Sequence, residues 1–357
     1  MRVAIVWHSV SGYMAACWRA LAATMGDDLL VVTQRPDPKG ATPFDPALVR
    51  GVHIELVDPA KLNDPAGVVD IVAAHKADVI VLNGWFVPAF VALASSPKLA
   101  SARTIMAIDR PREGWLKDTV NKLRHGSMVR RCDLLFVTGE RCYQFARFLG
   151  VAESRIRRGT YGVDVESLGG SLEKRLARSG GWPRSFLYMG RYDPVKGLDV
   201  LLEGYKRYRS AVSDPWPLVC CGKGPLGELL RGVEGVVDRG FVQPTEQSAL
   251  LAEQGVFVMA SRFDPWPLVV VEACAAGLPV VCTNACGSGV ELVRAYYSGL
   301  QTATGDTESQ ARAMRWMHEH REQLPEMGRR GRELARAYSA QAWAVRWRAA
   351  FVDVIGG

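Results

Sequence analysis

Residues 263 to 293 read FDPWPLVVVEACAAGLPVVCTNACGSGVELV, and one helix inside this stretch restricts the fold more than any other feature. From Leu268 to Ala276 the order is Leu, three Val, Glu, Ala, Cys, Ala, Ala. A helix apolar on every face belongs in the interior of a sizeable domain. Glu272 therefore has no solvated face, and because an unpaired carboxylate is costly to bury, it requires a partner. Just upstream, Asp264-Pro265-Trp266-Pro267 suits the start of a helix, where proline is accommodated. A helix N-terminus with a carboxylate one turn inside can hold an anion and a hydroxyl pair together, the chemistry of a ribose carrying a diphosphate. The same residues also fit a purely structural reading, with Asp264 as N-cap and Glu272 paired to an arginine elsewhere. The stretch by itself supports both.

A chain of 357 residues is long for one domain, and two domains are expected. Its 48% hydrophobic and 23% charged content supplies large cores and argues against disorder. The formal charge of +7 suits an anionic ligand, an anionic membrane surface or nucleic acid. Eight cysteines lie scattered with no CxxC pair and no zinc-ligand spacing, as in a cytosolic protein with reduced, buried thiols. The opening MRVAIVWHSV reads as a strand and a loop, too short for a signal peptide. No apolar run reaches the ~18 residues that span a bilayer.

The first half alternates strand and helix. Strands are expected at Val3–Trp7, Leu29–Thr33, His53–Val57, Asp78–Leu82, Thr104–Ile108, Asp133–Val137 and Arg155–Arg158. Between them lie helices after Ser11-Gly12, over Asp64–His75, Phe86–Ala94 and Glu140–Leu149, and a proline-rich loop from Gln34 to Arg50. Residues 166 to 184 carry four glycines, several charges and no apolar run, and read as a linker. The pattern then restarts with strands at Phe186–Met189, Pro217–Cys221, Val256–Met259, Pro279–Cys282 and Leu300–Ala303, with helices near Leu198–Arg209 and Leu226–Arg231. Amphipathic helices near Glu308–Glu319 and Ala340–Val354 close the chain. The expected fold is α/β: two doubly wound Rossmann-like domains, residues 1–165 and 185–338 around the linker, facing across a cleft. Ligands of such sheets bind outside the carboxyl ends of the strands.

Several motifs together resemble one family. GRYDPVKGLDVLLEGY, CGKGPL, RGFVQPTE, VFVMASRFDPWPLVVVEACAAGLPVV and GSGVELV, in this order over about residues 186 to 293, look like the second domain of a retaining glycosyltransferase of the GT-B fold, in glycosyltransferase family 4. VSGYMAACWRAL, TGERCYQFARFLG and YGVDVESL support this more weakly from the first half. The resemblance implies a nucleotide-sugar donor bound by the second domain and an acceptor bound by the first. It also implies that the closing helix, residues 339–357, packs back toward the first domain.

Each motif has its own chemistry. Cleaving a nucleotide sugar puts negative charge on the departing diphosphate, and cations aimed at it stabilise the transition state. Gly190-Arg191-x4-Lys196-Gly197 follows a strand and opens a helix, so Arg191 can hold phosphate oxygens bidentately and Lys196 can act as a point charge. The alternative is two surface cations in a polar turn. The resemblance assigns Glu272 to the ribose hydroxyls and Asp264 to those of the donor sugar. Relatives more often carry Glu at position 264 and Gly at position 267. Pro267 has no N–H to give, although the amides of Leu268 and Val269 can still cradle phosphate or sugar. Gly222, Lys223 and Val242 fall in loops that the resemblance places around the nucleotide base. Gly12 allows close approach of backbone to donor or acceptor, or simply turns the chain. Asp109 ends a strand where many relatives carry His. It can steady positive charge on the sugar or accept the acceptor's proton, or else start the turn before Pro111.

From Leu116 to Arg131, LKDTVNKLRHGSMVRR carries Lys117, Lys122, Arg124, Arg130 and Arg131, with Leu116, Val120 and Leu123 at helical spacing. Such a helix can lie on an anionic membrane, as a lipid-linked acceptor would require, or be an ordinary solvated face. Nucleic acid fits less well, because the cations are not interleaved with aromatics.

The expected function is retaining sugar transfer from a nucleotide sugar, UDP first and GDP next, to a hydroxyl on a glycan or lipid-linked glycan. The setting would be polysaccharide, glycolipid or other glycoconjugate synthesis, in the cytoplasm or at the inner membrane face. No Asp-x-Asp sequence is present, and neither metal nor other cofactor is expected. The other readings are an epimerase or phosphorylase on the same fold, or a non-catalytic partner of another transferase.

Overall fold

The computed structural model describes residues 1 to 356 apart from Ala41 and Asn63. The chain divides into two compact units. The first comprises Met1–Pro36, Phe44–Val163 and Ala340–Gly357, and the second Asp37–Pro43 and Asp164–Ser339.

The first unit is built on seven strands: β1 (Val3–Ser9), β2 (Leu29–Gln34), β3 (Ile54–Val57), β4 (Val79–Asn83), β5 (Arg103–Ile108), β6 (Leu134–Val137) and β7 (Ile156–Arg158). They lie in the order β3-β2-β1-β4-β5-β6-β7, and every pair is parallel. A parallel sheet covered by helices on both faces demands continuous apolar runs. β1, β4 and β6 supply them with Val3–Val6, Val79–Leu82 and Leu134–Val137, all buried. The helix Ala340–Gly356 belongs to this unit. Trp343 and Trp347 are fully buried and donate from Nε1 to the carbonyls of Thr160 (2.8 Å) and Gly159 (3.3 Å). Trp347 also stacks on Phe136 of β6 at 4.0 Å.

The second unit repeats the plan with β8 (Phe186–Met189), β9 (Leu218–Cys221), β10 (Val236–Asp238), β11 (Val256–Met259), β12 (Val280–Thr283) and β13 (Gly299–Thr302). Their order is β10-β9-β8-β11-β12-β13, again parallel throughout. In both sheets the winding reverses beside the first strand, between β1 and β4 and between β8 and β11. This places a ligand crevice at the carboxyl ends of those strands. No helix among the described residues is long and apolar enough to cross a membrane.

The stretch read as a linker is mostly not one. Val165–Leu176 is a helix of the second unit, with the Asp164 carboxylate accepting from Ser167 N at 3.0 Å. Its buried face is Leu168, Gly169, Ser171, Leu172 and Arg175, and helical spacing is hidden in the sequence by two glycines and a buried arginine. β10, three residues at the sheet edge, and the helices Pro244–Ala252 and Leu324–Ala335 also lie outside the sequence expectations. The helix expected near Leu226–Arg231 is a short 3₁₀ turn, Gly227–Leu230. All eight cysteines are buried, and none is in a disulfide.

Candidate functional site

The helix bearing Glu272 runs from Leu268 to Ala275, and all but Val269 of its eight residues are buried. Two prolines and a tryptophan ahead of it keep the chain extended, and Pro267 at the N-cap has φ −65° and ψ 106°. The amides of Leu268 and Val269 therefore lack carbonyl partners, as in any first helical turn. Glu272 is 7% exposed, and no side chain or amide among the described residues bonds its carboxylate. Burial alone pushes its pKa up to about 7. No arginine among the described residues meets it, and the N-cap is Pro267 rather than Asp264. The structural reading of this stretch therefore fails on both counts.

Asp264 is instead bound to Lys196. Lys196 Nζ lies 2.5 Å from Asp264 Oδ2, and both side chains are largely buried. These residues are 68 positions apart, and folding brings them together at the switch point of the second sheet. The loop after β8 ends in the turn Pro194–Lys196 and then Gly197, at φ 66°. A Cβ on Gly197 would sit 2.0 Å from the carbonyl oxygen of Ala260, so only glycine lets this loop cross the end of β11. Arg262 fastens the crossing. Its guanidinium meets both Asp199 carboxylate oxygens at 2.7 Å and the Pro194 carbonyl at 2.8 Å, while its amide donates to Val195 O at 2.8 Å. Nothing in the sequence pairing marks Arg262 or Asp199 as part of this site.

The Asp264 backbone is fixed from the other side. Its carbonyl accepts from Gly287 N at 2.9 Å, and a Cβ on Gly287 would fall 1.8 Å from Pro265 O. Ser288 Oγ donates to Pro267 O at 2.9 Å. The start of the short helix Gly287–Leu292 thus packs directly against the DPWP segment.

Arg191 is half exposed and pairs with Asp193 at 3.1 Å. An exposed pair of this kind is weak, so this guanidinium can turn to another anion. The loops after β8, β9 and β10 are laced together: Gly190 N donates to Cys221 O (3.0 Å), Tyr192 N to Lys223 O (2.9 Å), and Gly222 N to Gly240 O (2.8 Å). Arg191, Gly222 and Lys223 are thereby gathered at one end of the sheet, with Lys223 exposed and Val242 half-buried in the next loop over.

Gly12 and Asp109 belong to the first unit. Gly12 opens the helix Gly12–Met25, with Ser11 as N-cap accepting from Met14 N at 3.4 Å. Asp109 follows β5 and accepts a hydrogen bond from the Tyr161 hydroxyl at 2.8 Å. Tyr161 is buried, with the rings of Trp7 and Tyr13 roughly perpendicular to its own. Its burial and the Asp109 charge both push its pKa upward, so the phenol stays a donor. Sequence reasoning found Asp109 but not Tyr161. Among the described residues no group of three or more His, Cys, Asp or Glu is placed to hold a metal ion.

Two doubly wound parallel sheets, with an acid–lysine pair and a buried carboxylate at the switch point of the second, define the GT-B class. The chain belongs to the group 1 glycosyltransferases. The family model for glycosyl transferases group 1 matches residues 178–334, and that for the glycosyl transferase 4-like domain matches residues 10–162. The chain is 28% identical to the glycogen synthase of Mycobacterium tuberculosis over 256 residues, 67% of this chain and 60% of that protein's length. It therefore spans less than two thirds of that relative. It is also 28% identical over 331 residues to the GDP-mannose-dependent alpha-(1-6)-phosphatidylinositol monomannoside mannosyltransferase of M. tuberculosis, covering 84% of this chain and 83% of the relative. In fold it matches the crystal structure of HepE from Anabaena in complex with UDP and glucose, with TM-score 0.77 and 18% identity over 99% of this chain and 100% of that one.

Proposed function

We propose that this protein transfers a sugar from a nucleotide-sugar donor to an acceptor hydroxyl, with retention at the anomeric carbon. The observation that carries this reading is Glu272, a buried carboxylate without a partner among the described residues, on the helix whose first two amides, of Leu268 and Val269, also lack carbonyl partners. A ribose diol supplies the two hydrogen-bond donors that Glu272 lacks. The diphosphate then lies near the amides of Leu268 and Val269, Arg191 and Lys196. Its charge draws Lys196 partly away from Asp264, leaving an Asp264 oxygen for a hydroxyl of the donor sugar. As the glycosidic bond to phosphate breaks, Arg191 and Lys196 take up the developing charge. The acceptor oxygen attacks from the face the diphosphate leaves, and a phosphate oxygen receives its proton. The reading invokes no metal and no covalent sugar–protein intermediate.

UDP is the first base to test and GDP the second, since HepE was solved with UDP and the mycobacterial relative is named as GDP-mannose-dependent. The acceptor class is a glycan or lipid-linked glycan. Calorimetric titration with UDP and GDP tests the donor site. One of them should bind wild type, and Glu272→Gln should weaken it at least tenfold, because an amide satisfies only part of the diol. Equal affinity for both proteins would remove Glu272 from the ribose. Proton NMR of the glycosylated product reports the anomeric configuration, and an inverted product would contradict retention.

A further inference from the structure

We propose that the helix Trp115–Arg131 in the first unit is a docking face for an anionic lipid bilayer. Its inner side is Asp118, Gly126 and Val129. Asp118 is the only acid on the helix. It is fully buried and accepts from Glu113 N and Arg112 Nε at 3.1 Å each. Its charge is thus turned inward and does not reach the outer face.

That outer face carries two stripes. Leu116, Val120 and Leu123 stand at i, i+4 and i+7 and are 64%, 39% and 79% exposed, with Trp115 at the end of the helix 74% exposed. Lys117, Arg124 and Arg131 recur every seventh residue, so they form a second, exposed row beside the first. Lys117 shares Glu113, just ahead of the helix, with Arg110. Phe86, in the loop after β4, is 62% exposed, and its neighbour Trp85 stacks on His125 of the helix at 5.4 Å.

Single exposed apolar side chains are ordinary, but three on one face of one helix, with a tryptophan at its start, are not. A nucleic acid would engage the cations and leave Leu116 and Leu123 in water. A bilayer uses both rows: the leucines and Val120 enter the acyl boundary, the cations meet lipid phosphates, and the terminal tryptophan suits the interface. The charge row selects anionic lipid over neutral lipid.

The test is cosedimentation with vesicles of phosphatidylcholine alone or mixed with phosphatidylglycerol. Wild type should partition to the mixed vesicles and be released by salt. Each cation near the surface is worth about fivefold, so Lys117→Gln, Arg124→Gln and Arg131→Gln together should weaken partitioning about a hundredfold. Leu116→Ser with Leu123→Ser should weaken it while keeping the salt dependence. Val345→Ser with Val352→Ser, exposed positions on the closing helix, should change nothing. All three variants should keep the wild-type circular dichroism spectrum, since every changed side chain is exposed. Equal partitioning to neutral and mixed vesicles, or full binding by the triple cation variant, would overturn the proposal. Sensitivity to the cations without sensitivity to the leucines would also overturn it, pointing to a soluble polyanion. Nucleotide binding by the same variants should be unaltered, so failure here is separable from failure of the transfer reading.

Discussion

Glu272 sets a trade between stability and binding. Burial raises its pKa from 4.5 to about 7, so between those values the unfolded chain has released this proton and the folded one has not. Stability must then fall as pH rises from 4.5 to about 7, and the loss is complete above 7. The full drop is on the order of 3 kcal/mol. Glu272→Gln removes this slope. Relative to wild type it should be near neutral at about pH 5 and clearly stabilising at about pH 8, as read from denaturant midpoints. An equal difference at both pH values would contradict the buried-acid account. The conflict at Glu272 was legible in the sequence because an acid amid Val, Ala and Cys cannot reach water. The Lys196–Asp264 bond was not, since the two residues are distant in the chain and the family resemblance assigns them different parts of the donor. The same holds for Tyr161 and Asp109, where nothing near Tyr161 in the sequence points to a carboxylate just past the end of β5.

At the scale of elements, the helix Val165–Leu176 does more than connect. Arg175 near its end is 1% exposed and donates to the carbonyls of Leu251 and Ala276, the latter at the end of the Glu272 helix. Its guanidinium also lies over the Trp182 ring at 5.0 Å, and burial lowers its pKa to about 9, which leaves it charged at neutral pH. Arg175→Ala strands two buried carbonyls and opens a cavity, and should destabilise the protein by about 3 kcal/mol or more in chemical denaturation. A loss below about 1 kcal/mol would mean that water replaces the guanidinium. Arg175→Lys can reach only one of the two carbonyls and should recover part of the loss. The strands were readable because both faces of a parallel sheet are covered, so apolar runs stand out. This helix was not, because glycine at 169 and 170 lowers helix propensity and a buried arginine resembles a surface one.

At the scale of the molecule, the first unit is assembled from both ends of the chain. The closing helix fills it with Trp343 and Trp347, so deleting residues 340–357 removes two fully buried indoles from its core. Losing even one buried tryptophan typically costs about 3–5 kcal/mol, a large fraction of a domain's stability. The truncated protein should therefore be cleaved rapidly within residues 44–163 under limited proteolysis while 164–339 resists. A protected first unit would show that the helix is an appendage.

Where the chain leaves the first unit after Val163 and rejoins it at Ala340, the two residues are themselves bonded, Ala340 N to Val163 O at 2.9 Å. Apart from the short segment 37–43, the second unit is thus one uninterrupted stretch of chain, Asp164–Ser339, flanked on either side by that bonded pair. A gene encoding residues 164–339 from another family member can be exchanged at that pair with only two junctions to match. With the donor held by the second unit as proposed above, sugar-nucleotide preference and acceptor preference become separately inheritable parts.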